Sequence, residues 1–213
     1  MYSPRKPLVI DSLTKSYNKI PVLDKFSLTI SNGEIIGIAG TNGSGKSTLL
    51  KLIAGIINPD EGCGTVCGKN IFNRSYQYRE HIQYWGQVPS LYPSLTGLEN
   101  LKLSLELSKI SCTEKDLHKY IKQSDLSNKI YDSVITYSLG MIQKLNLLRF
   151  IISNWELGLM DEPNSSLDDN GIEQLIKNIN NWSKKNRALI VSSHDISFLK
   201  MITSKIIYLD KKQ

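Results

Sequence analysis

Gly40-Thr41-Asn42-Gly43-Ser44-Gly45-Lys46-Ser47-Thr48 fits the phosphate-loop pattern: Gly, four residues, then Gly-Lys-Ser/Thr. Its flanks fit too. Glu34-Ile35-Ile36-Gly37-Ile38-Ala39 is a short apolar run of buried-strand length, and Leu49, Leu50, Leu52, Ile53 and Ile56 follow at helical spacing. Strand, glycine loop and helix in that order aim backbone N–H groups and a positive helix end at phosphate oxygens. Gly40, Gly43 and Gly45 let the backbone close where a side chain would clash. Lys46 is expected to reach the β- and γ-phosphates and Ser47 to bind Mg²⁺, with Asn42, Ser44 and Thr48 completing the cradle. A glycine-rich turn that merely contains Lys-Ser is the bland alternative, and the flanking strand and helix weigh against it. The pattern predicts nucleoside triphosphate binding.

Outward from the loop, the upstream part reads as an antiparallel strand region. Residues 8–10 form one short strand; 22–23 and 26–30 form another, and Ser31-Asn32-Gly33 turns into the phosphate-loop strand. Ser16-Tyr17-Asn18-Lys19 reads as a polar loop; its tyrosine either stacks on a base or anchors the loop. Downstream, Asn58-Pro59-Asp60-Glu61-Gly62 is a turn, 65–67 starts a strand, and 82–87 is a further one. Residues 89–154 turn mostly helical, with Leu98, Leu101 and Leu105 on one face and Leu117, Tyr120 and Ile121 on another. The α/β alternation then resumes: strand 157–160 ending at Asp161-Glu162, helix 171–184, strand 189–191 ending at Ser192-Ser193-His194-Asp195, helix 198–202 and strand 206–209. Such alternation predicts a mostly parallel sheet with ligands at the carboxyl ends of its strands.

Composition sets bounds. Charged residues at 22% and hydrophobic ones at 40% describe a soluble globular domain. No apolar run approaches the about 20 residues that span a bilayer, and no signal peptide stands at the start, so a cytosolic chain is expected. A net charge of +6 is scattered and argues weakly for any anionic partner. The three cysteines, Cys63, Cys67 and Cys112, lack paired spacing, and no nearby His or Cys completes a ligand set. They read as structural filler, with neither disulfide nor zinc site expected.

Asp161-Glu162 at a strand tip is the expected place for a water-mediated Mg²⁺ carboxylate followed by one that polarises an attacking water. Alone it would be a solvated acidic pair, as a lone His194 would be structural. The order of all these motifs resembles the ATP-binding subunits of ABC transporters along essentially the whole chain. Tyr17 matches the adenine-stacking aromatic, residues 40–48 the Walker A loop, and Gln87 the Q-loop. Tyr137-Ser138-Leu139-Gly140-Met141 stands where the family carries its signature, most often Leu-Ser-Gly-Gly-Gln. Residues 157–162 match Walker B, Ser166-Leu167-Asp168 the D-loop, and His194 the switch histidine.

The resemblance implies an α/β fold: a P-loop NTPase (RecA-like) core, residues 1–88 and 155–213, with an N-terminal antiparallel β region and an inserted helical subdomain, 89–154. It implies Glu162 as general base or water-orienting carboxylate, His194 holding it and the γ-phosphate in register, and Lys46 on the phosphates. Mg²⁺ would lie among Ser47, Gln87 and Asp161. Ser138 and Gly140 would contact the γ-phosphate bound to a second copy, and Asp168 of the D-loop is expected among the nucleotide-binding residues. It further implies a homodimer or a heterodimer with a related subunit, a separate transmembrane permease, and a place on the inner face of the membrane through it. The Tyr-Ser-Leu-Gly-Met signature resembles the branch with ABC-2-type partners, often exporters, and no C-terminal regulatory domain is expected after the last strand. A soluble ATPase acting on nucleic acid or ribosomes generally carries two fused domains or a coiled coil; no direct nucleic acid contact is expected here. A non-hydrolysing regulatory subunit would not need the intact Lys46, Asp161, Glu162 and His194.

Overall fold

Strands β7 (Leu157–Asp161), β8 (Ala188–Ser193) and β3 (Ile35–Ala39) are buried at every position, as both faces of a covered parallel sheet demand. They form the middle of a five-stranded parallel sheet, closed by β6 (Ile82–Trp85) at one edge and β9 (Ile206–Tyr208) at the other, in the order β6-β7-β8-β3-β9. The computed structural model describes residues 6–209 except 74–76 and 89. The proposed insertion boundary at Pro89, and the two termini read for targeting and charge, thus lie outside the described residues.

A second sheet is antiparallel, order β2-β1-β4-β5: β1 (Leu8–Tyr17), β2 (Ile20–Ile30), β4 (Glu61–Val66) and β5 (Lys69–Asn70). Here the structure corrects the sequence reading. The first strand runs on to Tyr17, and only Asn18 and Lys19 turn, at φ 51° and 66°. Two successive left-handed residues make the two-residue hairpin whose twist matches the strands it joins. The extra length was hidden by Asp11, Ser12 and the register shifts between Ile10 and Ser16, which break the alternation.

Helix α1 (Lys46–Ile53) joins the two sheets in one core. Its Leu49, Leu50, Leu52 and Ile53 are fully buried among Leu8, Leu13 and Ile30 of the antiparallel sheet and Ile36, Leu159 and Ile190 of the parallel one. Each such side chain is stabilised by about 1.5–3 kcal/mol relative to exposure.

By its internal contacts the chain divides into two units. The first holds both sheets, α1 and α6 (Ile196–Ile202), with residues 1–86, 155–163 and 179–213. The second holds 87–154 and also 164–178, a stretch that the sequence reading assigned to the core. Within it, α2 (Gly97–Leu107) starts at a reciprocal cap: Thr96 Oγ1 accepts from the Glu99 N–H, and Glu99 accepts from the Thr96 N–H. Helix α3 (Glu114–Lys122) is capped by Thr113, and α4 (Leu139–Ile152) by Ser138. Leu101, Leu105, Leu117, Ile121, Leu145 and Leu148 form the core of this unit. Helix α5 (Asp169–Lys184) gives its first ten residues to the second unit and its last six to the first.

Candidate functional site

The register of the parallel sheet gathers three loops. Ala39 pairs with Ser193 and Asp161 with Ser192, so Gly40, Glu162 and His194 each begin the segment that leaves a neighbouring strand end. Gly40 sits where an added Cβ would lie 2.4 Å from both Leu209 O and Ser44 Oγ. Gly45 precedes α1 at φ 100°, and its Cβ would reach within 2.8 Å of Val22 Cγ1. Neither position admits a side chain. The first turn of α1 carries no acidic residue, which leaves its positive end uncompensated by side-chain charge.

Lys46 is almost wholly buried and folds back over the loop. Its Nζ donates to Gly40 O at 2.7 Å and Thr41 O at 3.3 Å and lies 3.5 Å from Glu162 Oε1. Glu162 takes a left-handed backbone, φ 52°, which for a non-glycine residue costs about 1–3 kcal/mol. Its Oε2 accepts from Ser193 Oγ at 3.2 Å and the His194 N–H at 3.2 Å, and lies 2.8 Å from His194 Nδ1. One carboxylate oxygen is therefore anchored by the β8 terminus while the other faces the lysine. The His194 ring itself is mostly exposed.

Asp161 is buried at the tip of β7. Ser192 Oγ donates to its Oδ1 at 2.7 Å, while Oδ2 meets no hydrogen-bond donor among the described residues. A buried carboxylate oxygen held in place and left without a donor suits a hard cation with its waters. Burial first, and the Asp161 charge second, push the Tyr84 hydroxyl up to about 12, so it stays protonated beside that carboxylate. Ser192 and Ser193 were noted in the sequence only as the end of a strand. The structure makes each the holder of one acidic residue, a role that the Ser-Ser-His run hints at only once the strand pairing is known. Tyr17, the last residue of β1, is half exposed, with Lys15 Nζ 5.6 Å from its ring centre.

Gln87, Ser138, Gly140 and Asp168 belong to the second unit. Gln87 opens it and is exposed. Ser138 Oγ accepts from the Met141 N–H at 3.3 Å at the start of α4, whose first turn is likewise free of acidic residues. An added Cβ on Gly140 would approach Ser166 O to 3.1 Å. The two departures from the usual signature point different ways: Leu139 is exposed, while Met141 packs against the helical core. Asp168 Oδ1 accepts from the Gly171 N–H at 2.8 Å and Oδ2 pairs with Lys144 at 2.9 Å. Lys144 also reaches Asp125 at 3.2 Å.

The cysteines need a correction. None of the three is joined in a disulfide. Cys67, however, does have a histidine and a carboxylate beside it: Sγ donates to Glu156 Oε2 at 3.1 Å, and His81 Nδ1 lies 2.7 Å from Glu156 Oε1. The sequence separations, 14 and 89 residues, concealed that grouping.

With this geometry in view, comparison with known proteins decides the family. The ABC transporter family model matches residues 23–165. This chain belongs to the ABC transporter family. It carries that family's ATP-binding and ATPase domain. It is 30% identical to the uncharacterized ABC transporter ATP-binding protein YhcH of Bacillus subtilis over 96% of this chain and 67% of that protein. It is 29% identical to the bacitracin transport ATP-binding protein BcrA of Bacillus licheniformis over 91% of this chain and 63% of that one. The chain thus spans about two thirds of the length of these relatives. Among solved structures, a dimeric bacterial ABC transporter cassette superposes with a TM-score of 0.86 at 26% identity, over 95% of this chain and 94% of that one.

Proposed function

We propose that the chain is the ATP-hydrolysing subunit of an exporter, driving a separate transmembrane permease by ATP-dependent closure of a dimer. The observation that carries the hydrolytic part is the divided duty of the Glu162 carboxylate, one oxygen anchored by Ser193 and His194 and the other facing Lys46. When ATP enters, Lys46 turns to the β- and γ-phosphates and Oε1 is left to orient a water in line with the γ-phosphorus. Glu162 accepts that water's proton as the new P–O bond forms and the bond to the β-phosphate oxygen breaks, releasing ADP and phosphate. Ser47 and Asp161 would hold Mg²⁺, which when bound offsets the charge on the phosphate oxygens. His194 keeps Glu162 in register.

The acid-free start of α4 suits it to the γ-phosphate carried by a second copy, with Ser138 and Gly140 closest and Asp168 in the adjoining loop. Tyr17, exposed at the end of its hairpin strand, would stack on the adenine. The chain would thereby sit on the inner face of the membrane through its permease. No helix among the described residues is long and apolar enough to cross a membrane. The docking surface is placed on the second unit. There Val88 is 84% exposed, and a cavity of about 120 Å³ is lined by Tyr92, Asn100, Leu103, Leu107 and the partly buried Arg149. Likeness to the bacitracin transport protein and the Tyr-Ser-Leu-Gly-Met signature support export.

The test is a pull-down of tagged Glu162→Gln protein from gently solubilised native cells with Mg-ATP, which holds the closed dimer. A multi-span membrane protein in the eluate is the expected result. Nucleic acid or ribosomes without a membrane partner would overturn the transporter reading.

A further inference from the structure

At the opposite end of the parallel sheet from the phosphate loop, we propose that Cys67, His81 and Glu156 form a binding site for a zinc-class divalent cation. Their Sγ, imidazole nitrogen and carboxylate oxygen all lie within 4.8 Å of one another. Tetrahedral zinc with ligands at its usual bond lengths needs donor–donor spacings of about 3.3–3.8 Å, which small side-chain rotations supply from here.

Three separate segments present these donors. Cys67 is in the turn between β4 and β5, His81 ends the 3₁₀ turn Gln77–His81, and Glu156 immediately precedes β7. The backbone fixes two of them against each other, since the Glu156 N–H donates to His81 O at 2.9 Å. The site lies at the amino ends of β6 and β7, whereas Asp161 closes β7 at its carboxyl end. Glu156 and Asp161 are five residue steps apart along the strand, at about 3.3 Å each, so the proposed site is distinct from the nucleotide's.

The chemistry of the donor set selects the ion. A thiolate and a carboxylate bring two negative charges and the imidazole none, so a divalent cation leaves the cluster neutral. Sulfur and nitrogen donors favour zinc and its transition-metal neighbours over Mg²⁺ or Ca²⁺. Binding releases the Cys67 thiol proton to solvent as the sulfur–metal bond forms. Cys67 is 1% exposed, but the Glu156 side chain is half exposed, which gives an ion a way in and leaves a fourth position to water.

A supporting carboxylate stands behind the histidine. His81 Nε2 is buried without a hydrogen-bond acceptor in good geometry among the described residues, yet Glu80 Oε1 is 3.3 Å away and is itself paired with Lys69. With Nδ1 on the metal, the proton must sit on Nε2 and point toward Glu80, the carboxylate–histidine–metal arrangement that fixes tautomer and ring orientation. The competing arrangement is a simple hydrogen-bonded cluster in which Glu156 accepts from both neighbours.

The experiment uses the full chain without nucleotide, with Cys63→Ser and Cys112→Ser so that Cys67 is the sole thiol, and Co²⁺ as the probe. One equivalent of Co²⁺ is expected to give visible bands and a near-ultraviolet thiolate-to-cobalt band, both bleached by Zn²⁺ and untouched by excess Mg²⁺. Adding Cys67→Ser should abolish the thiolate band, and His81→Gln or Glu156→Gln should weaken affinity by about tenfold or more. Because burial of Cys67 puts the folding of its variant at risk, the His81 and Glu156 variants, with folding checked by circular dichroism, keep the test decisive. A folded protein that develops no thiolate band, or one whose band is indifferent to His81→Gln and Glu156→Gln or is not displaced by Zn²⁺, overturns the proposal.

Discussion

Lys46 Nζ and Glu162 Oε1 lie 3.5 Å apart, and both side chains are almost wholly withdrawn from solvent. A buried pair of this kind is costly to split by deleting one partner, because the other charge is left behind. Here each partner has further support: Lys46 has the carbonyls of Gly40 and Thr41, and Glu162 has Ser193 and His194. The pair can therefore open without stranding either charge, which is what an entering triphosphate requires.

Glu162→Gln removes the negative charge that competes with phosphate for Lys46 while keeping the shape. Hydrolysis is expected to fall by about 10²–10⁴-fold, the usual worth of a positioned general base, while ATP affinity holds or tightens. Single-turnover hydrolysis of labelled ATP and equilibrium binding of a fluorescent analogue measure the two separately. Loss of binding in parallel with loss of turnover would count against the proposed division of labour.

Ser192 and Ser193 are adjacent yet serve different carboxylates, so their alanine variants should fail differently. Ser192→Ala releases Asp161 Oδ1 and is expected to raise the Mg²⁺ concentration for half-maximal ATPase activity by about 10-fold or more, as loss of a ligand's supporting hydrogen bond does. Ser193→Ala removes one of the three contacts on Glu162 Oε2, and with it the acceptor of the Asp195 N–H, and should lower kcat at saturating Mg²⁺ with little change in KM. Mg²⁺ titrations of both variants decide it. Identical profiles would mean that the two hydroxyls support only the strand end.

That contrast marks what local sequence can reveal. The phosphate loop was legible because strand, glycines and helix are contiguous, and 40–48 carries its own chemistry. The acidic pair and His194 were legible as ends of apolar runs. The partners of those acids were not, since Ser192 meets Asp161 only through the register of β7 against β8 across 31 residues of chain. Tyr17 was misplaced in a loop because Ser12, at φ 54°, and the neighbouring irregular pairings mask the period-two signal of β1. Cys67 was set aside because its neighbours come from other segments.

Gly45 and Gly140 lie at the starts of α1 and α4, but alanine should affect them unequally. At Gly45 the new Cβ meets Val22 at 2.8 Å on a backbone with φ 100°, so Gly45→Ala combines a clash with strain worth about 1–3 kcal/mol. A drop in melting temperature of several degrees is expected together with loss of ATP binding. At Gly140 the backbone is ordinary helix and the 3.1 Å approach to Ser166 O asks only a small shift. Gly140→Ala should therefore melt within a few degrees of the parent while impairing turnover, and ATP binding should persist. Thermal unfolding and nucleotide binding on both variants test the contrast; equal destabilisation would show that the α4 start is as rigid as the phosphate loop.

Asp168 offers a pH test with a definite sign. The hydrogen bond from Lys144 first, and that from the Gly171 N–H second, hold its carboxyl below the usual range. A carboxyl whose folded value lies under its unfolded one favours the native state once ionised. That contribution is fully present above the unfolded value of about 3.9 and is lost as pH falls through the lower folded value. Asp168→Asn keeps an oxygen for Gly171 and deletes only the charge facing Lys144. The urea midpoint of the parent should exceed that of the variant by a constant margin from pH 5 to 8, a margin kept small by the exposure of the pair and by salt. Below about pH 4 the two curves should converge. A gap that survives into strong acid would assign the stabilisation to the hydrogen bonds alone, and one that widens there would reverse the sign of the argument.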